Sequence, residues 1–170
     1  MKMMNVGRIL AWTVVMAMPL WFGSCKKNNG GEIDPVTPNS VEGSWKISSI
    51  SLKEASGTVD YLEIIKLIAG EEAIKCLTDT KATFKSGGEI TGTPSPACTS
   101  GGADDYNPAK DKSTWKTNGN KLTITSSEGA ETYDYTVSGS TMTWSIQQQD
   151  DVDEDGVNEV YTTIIEFKRV

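Results

Sequence analysis

Residues 113–148 read STWKTNGNKLTITSSEGAETYDYTVSGSTMTWSIQQ. Leu122 and Ile124 alternate with Thr123 and Thr125. Tyr133, Tyr135 and Val137 alternate with Asp134 and Thr136, and Met142, Trp144 and Ile146 alternate with Thr143 and Ser145. A period of two predicts strands with one covered face, because successive side chains on a strand point to opposite sides. Asn118-Gly119 and Ser138-Gly139-Ser140 supply turn chemistry between these runs. Such turns tie neighbouring strands into hairpins, and one apolar face predicts an antiparallel sheet over a single core.

The same pattern extends in both directions. Trp45, Ile47, Ile50 and Leu52 mark a first strand. Residues 81–84 and 89–92 flank the turn Ser86-Gly87-Gly88, and Tyr161, Ile165 and Phe167 mark a last strand over 159–168. The count is about eight strands. One helix interrupts them near residues 60–75, where Leu62, Ile64, Ile65, Leu67 and Ile68 fall at helical spacing. Asp60 is placed to cap that helix, and Gly70 to end or kink it. Residues 94–112 are polar and rich in Pro and Gly, which predicts a loop. The fold class is therefore mainly β, an antiparallel up-and-down barrel, since closing the sheet removes its edges. An eight-stranded barrel either fills with side chains or keeps room for one small ligand.

The chain begins differently. Lys2 and Arg8 precede an apolar run, Ile9 to Phe22, that is too short to span a bilayer core of ~30 Å. It has the length of a signal-peptide core. It ends in Phe22-Gly23-Ser24-Cys25, which resembles the cleavage motif of bacterial lipoproteins, with Phe22 where Leu is usual. The resemblance implies a signal peptide over 1–24 and a Cys25 that becomes the acylated N-terminus, carrying palmitate-like chains. It implies a cell-envelope protein, lipid-anchored at the outer membrane on its periplasmic or surface face. Residues 25–40 then form the lipidated cysteine and its tether. KKNNGGEIDPVTPNS has no hydrophobic period and predicts a flexible linker spanning roughly 20 Å. The folded domain occupies 41–170.

Gly43-Ser44-Trp45 at the start of the first strand resembles the Gly-x-Trp of lipocalins. The hairpin ladder behind it looks like the lipocalin-like domains of bacterial cell-envelope lipoproteins. That likeness covers roughly 41–170. It implies a tryptophan that closes one barrel end and a calyx that opens at the other. The implied function is binding of a small apolar or amphipathic ligand in the barrel. The alternative is a non-catalytic envelope interaction or structural module that acts through its loops at 94–112 and 150–159.

Composition narrows the chemistry further. The chain has 170 residues, a formal charge of -7 and no histidine. An acidic chain is a poor partner for nucleic acid. Without histidine there is no Ser-His-Asp or Cys-His centre, and no imidazole metal ligand. No phosphate-binding or nucleophile-elbow motif is present. The carboxylate pairs Glu71-Glu72 and Asp104-Asp105 do not have the spacing of a facing acid and base. The expectation is a protein that is not an enzyme.

Three constellations remain. Cys76 and Cys98 would pair in an oxidising compartment and pin the helix end to the long loop; two free thiols are the other reading. Trp45, Trp115, Tyr133, Tyr135 and Trp144, with Tyr161 and Phe167, either line a ligand pocket or fill the core. Asp151, Asp153, Asp155 and Gly156 match the opening of a calcium loop, with Glu159 at the ninth position. Calcium and a solvated acidic hairpin tip both fit that stretch.

Overall fold

Alternating residues become strands wherever one face has a core to cover. The computed structural model describes residues 40–98, 107–151 and 156–170. The segment 1–24, Cys25 and the tether as far as Asn39 lie outside them. Among the described residues there are nine strands: β1 (Gly43–Glu54), β2 (Gly57–Asp60), β3 (Lys81–Phe84), β4 (Ile90–Thr93), β5 (Thr114–Asn118), β6 (Lys121–Ser126), β7 (Gly129–Ser138), β8 (Thr141–Asp150) and β9 (Glu159–Arg169). Helices α1 (Tyr61–Ala69) and α2 (Glu71–Asp79) lie between β2 and β3. All pairings are antiparallel, and the strand order is β4-β3-β1-β9-β8-β7-β6-β5, with β2 paired to β1 off this path. Apart from β2, and from β4 and β5 at the two ends of this order, every strand pairs with its sequence neighbour, and β9 returns to β1. This is an up-and-down barrel, mainly β, as the alternation predicts.

One seam stays nearly open. Between β4 and β5 the contact is a bridge at Glu89–Thr114 with a few backbone bonds around it. Trp115 N donates to Gly88 O at 2.7 Å, and Ile90 N donates to Ser113 O at 2.8 Å. Gly88 has φ +80, and a Cβ there would meet Trp115 O at 3.0 Å, so glycine lets the two edges approach. The Trp115 indole N–H also crosses the seam, to Lys85 O at 3.1 Å.

Two elements differ from the sequence reading. The predicted single helix over 60–75 is two, broken at Gly70 (φ 84), and the second runs on to Asp79. Asp60 caps the first as expected, accepting from Leu62 N at 2.9 Å. Lys66 bridges the break to Glu71 at 3.0 Å, and that carboxylate, through its hydrogen bond and charge, raises the Lys66 pKa. Strand β2 was not expected. Its four residues are all exposed, so it has no buried face to imprint a pattern.

The core gathers at the end where β1 begins and β9 finishes. Trp45 is 0% exposed, and its indole N–H donates to Val41 O at 2.8 Å. The Arg169 guanidinium lies 4.1 Å from the centre of the Trp45 ring. It also donates to Glu42 O at 2.7 Å and Ser40 O at 2.8 Å. Phe84, Tyr133, Trp144 and Phe167 pack above this plug as edge-on and tilted rings. In β1 the register shifts between Ile47 and Ser49. That bulge lets Trp45, Ile47 and Ile50 all turn inward although Ile47 and Ile50 are three apart.

The Cys76–Cys98 disulfide forms. It ties α2 to the start of the 94–112 loop, beside Thr80, whose hydroxyl donates to Cys76 O at 2.6 Å and accepts from Ser95 N at 3.1 Å.

Two stability changes follow. Trp45→Ala should cost about 3–5 kcal/mol in denaturant unfolding, the range for deleting a fully buried aromatic. Replacing both Cys76 and Cys98 with Ser should cost about 3 kcal/mol through the lost loop constraint. A Trp45→Ala loss below about 1 kcal/mol would mean that the plug does not hold the barrel end.

Candidate functional site

Inward parity continues past the core. On β7 the inward set of Tyr133, Tyr135 and Val137 extends back to Glu131. On β8 the set of Met142, Trp144 and Ile146 extends forward to Gln148 and Asp150. On β1 it runs through Ile50 and Leu52 to Glu54, and on β9 through Ile165 back to Thr163 and Tyr161. The ladders place these residues together, with Ile124 opposite Glu131, Ile50 opposite Ile165, Leu52 opposite Thr163 and Gln148 opposite Tyr161.

The outer members of these rows line a cavity of about 780 Å³ in the half of the barrel away from the Trp45 plug. Its deeper wall is apolar, from Ile50, Leu52, Ile124 and Ile165, with Tyr61 and Tyr161 beside them. Its outer wall is polar. Thr163 Oγ1 donates to Gln148 Oε1 at 3.0 Å, a cross-strand bond inside the mouth. Lys110 pairs with Glu128 at 2.6 Å, and both border the space.

Tyr133 links the two halves. Its ring is buried in the core against Trp144, and its hydroxyl donates to the Glu131 carboxylate in the cavity wall. Burial, then the bond to Glu131 and that residue's charge, push the Tyr133 phenol far above its ordinary range. At the closed end, burial lowers the Arg169 guanidinium from its ordinary value.

Five of the aromatics singled out from the sequence have other places. Trp45, Tyr133 and Trp144 are buried in the core, Trp115 seals the β4–β5 seam against Phe84, and Tyr135 is half-buried against the same core. None of the five is among the residues lining the cavity. The residues that do line it are mostly aliphatic and polar; of the residues the sequence singled out, the aromatic Tyr161 and the acidic-loop Asp151 are among them. Extending each strand's inward set by one or two positions would have found Glu54, Glu131, Gln148 and Asp150.

Of the acidic loop, Asp153 and Asp155 lie outside the described residues, as does Cys25. Asp151 lies at the cavity edge and accepts from Gly156 N at 2.9 Å. Glu159 opens β9 opposite Asp150. Among the described residues, no three acidic or cysteine side chains gather as a metal would need.

Comparison with protein-family models matches residues 41–144 to the lipocalin-like domain. No curated protein and no solved structure matches the chain.

The raised Tyr133 phenol sets a pH dependence. Its folded pKa lies above the unfolded value of about 10, so its contribution to stability is whole below pH 10 and is lost as pH rises beyond it. Tyr133 should fail to develop phenolate absorbance in the native protein at a pH where a free phenol ionises, and should recover it in denaturant. Tyr133→Phe should abolish that difference. A wild-type alkaline titration that matches that of Tyr133→Phe plus one free phenol would contradict the burial of this hydroxyl.

Proposed function

The chain belongs to the lipocalin-like domain family, and from that premise we propose that it is a non-catalytic carrier of a small apolar or amphipathic molecule in its barrel. The observation that carries this reading is the cavity of about 780 Å³, apolar within and polar at the mouth. Its size falls within the roughly 300–1,000 Å³ of small-molecule sites, and Ile50, Leu52, Ile124 and Ile165 give it an apolar wall. The barrel is plugged at the Trp45 end, so a ligand enters and leaves by the mouth. We propose further that Cys25 is acylated and anchors the domain at the outer membrane, with residues 26–40 as tether. Two or three acyl chains hold a protein firmly, at about 0.8 kcal/mol per buried CH₂. On this reading the carrier samples the membrane it is moored to, where an amphipathic ligand is concentrated.

A second reading is an envelope interaction module. The observation in its favour is on α1, where Leu67 and Ile68 are 87% and 71% exposed. These two adjacent side chains give an apolar spot that a partner surface could cover.

A neutral fluorescent probe such as N-phenyl-1-naphthylamine tests the first reading. It should bind one to one and brighten. Leu52→Trp and Thr163→Trp, which put bulk into the cavity, should each weaken binding by about tenfold or more. Equal binding to both filled variants, with the fold intact by circular dichroism, would sink the carrier reading. For the anchor, Cys25→Ser should move the protein from the detergent to the aqueous phase on phase partition.

A further inference from the structure

Five carboxylates and one lysine line the cavity: Glu54, Glu128, Glu131, Asp150, Asp151 and Lys110. They come from β1, β7, β8 and the segments at strand ends, so the imbalance belongs to the whole mouth and not to one loop. Glu54, Glu131 and Asp150 stand at inward positions of their strands. The lysine is already compensated, since its ammonium lies 2.6 Å from Glu128. Glu131 is held in place by the buried Tyr133 hydroxyl. Below this charged ring the wall is apolar, and Tyr61 and Tyr161 border the same space. Aromatic faces and carboxylates together are the two features that attract an ammonium or guanidinium group.

We infer that the ligand is a cationic amphiphile, with an apolar body seated against Ile50, Leu52, Ile124 and Ile165 and an amine, quaternary ammonium or guanidinium head held at the acidic mouth. This rests on the carrier reading above and adds the head-group charge to it. A fatty acid or other anion placed the same way would bring its carboxylate among four like charges outside the Lys110–Glu128 pair, with the only lysine in the wall already engaged. A cleft lined by one sign of charge with low-dielectric walls focuses its field on whatever enters. The mouth therefore selects against anions as well as for cations, and the discrimination works at entry and in the bound state.

The experiment compares three probes of equal chain length below their micelle concentrations, on the purified full-length protein by isothermal titration calorimetry. They are dodecyltrimethylammonium, dodecanol and dodecanoate. The expected order is cation, then alcohol, then anion, with cation over anion by about tenfold or more at low salt. That gap should narrow in roughly 0.5 M salt, where exposed charges are screened. The double variant Glu131→Gln with Asp150→Asn should weaken the cation and leave dodecanol unchanged, and Lys110→Gln should strengthen the cation. Dodecanoate binding as tightly as the ammonium would overturn the head-group inference while leaving the carrier reading standing. Failure of all three probes to bind would overturn both. If a variant does not fold, the ranking on the wild-type protein decides.

Discussion

The first and last strands of the domain are zipped along most of their length, from Trp45 opposite Arg169 to Lys53 opposite Thr162. This pairing is the most non-local in the sheet; β3 pairs with β1 across β2 and the two helices, and the remaining ladders join sequence-adjacent strands. It turns a meander of hairpins into a barrel. Arg169 locks its lower end by stacking on Trp45 and holding the carbonyls of Ser40 and Glu42, so that the entering chain is fastened over the plug. A meander without this closure would expose the edges of both β1 and β9, and unpaired edges invite association with other chains. The remaining seam, between β4 and β5, lies opposite in the strand order and carries far fewer bonds. Strain and breathing in such a barrel concentrate at its weakest ladder.

One rule of geometry makes both the core and the cavity. Alternate residues of a strand face the barrel axis for its whole length, whatever their chemistry. In the lower half those positions are large and apolar, and Trp45, Phe84, Trp144 and Phe167 fill the section completely. In the upper half the same rows carry smaller or polar groups: Thr163, Gln148, Glu131, Glu54 and Asp150. Polar groups do not pack into a dry core, because desolvating them without partners is costly. The section stays open and wet at its rim. The change from filled to hollow is thus written into four strands at once, and the Tyr133–Glu131 hydrogen bond sits on the boundary.

This explains what the sequence disclosed and what it withheld. Strands with a clear period of two, such as 121–125 and 141–146, were legible because each buries one face. Asp60 as a cap and the Asn118-Gly119 turn were legible because local chemistry decides them, and the Cys76–Cys98 pair because these are the two cysteines left once Cys25 is set aside. Strand β2 was not, since no face of it is buried, and the β1 bulge hid in the pair Ser48-Ser49. The helix break at Gly70 left both of its outcomes open in the sequence. The site was harder to see. Aromatic residues draw attention as ligand contacts, yet Trp45, Trp144 and Tyr133 were needed as filling. The cavity walls are made by residues that look like the ends of strands, where apolar alternation fades. That fading was itself the signal, and parity rather than residue type would have exposed it.

Native-state hydrogen exchange tests the closure of the barrel most directly. If the β1–β9 ladder is the constraint on which the rest depends, its hydrogen-bonded amides exchange only with global unfolding and are the slowest in the domain. The amides of Ile90 and Trp115 at the β4–β5 seam should then exchange earlier, by local opening. Exchange of the β1–β9 amides as early as those of the seam would contradict this, because the two chain ends would then be separating while the rest of the sheet stays folded.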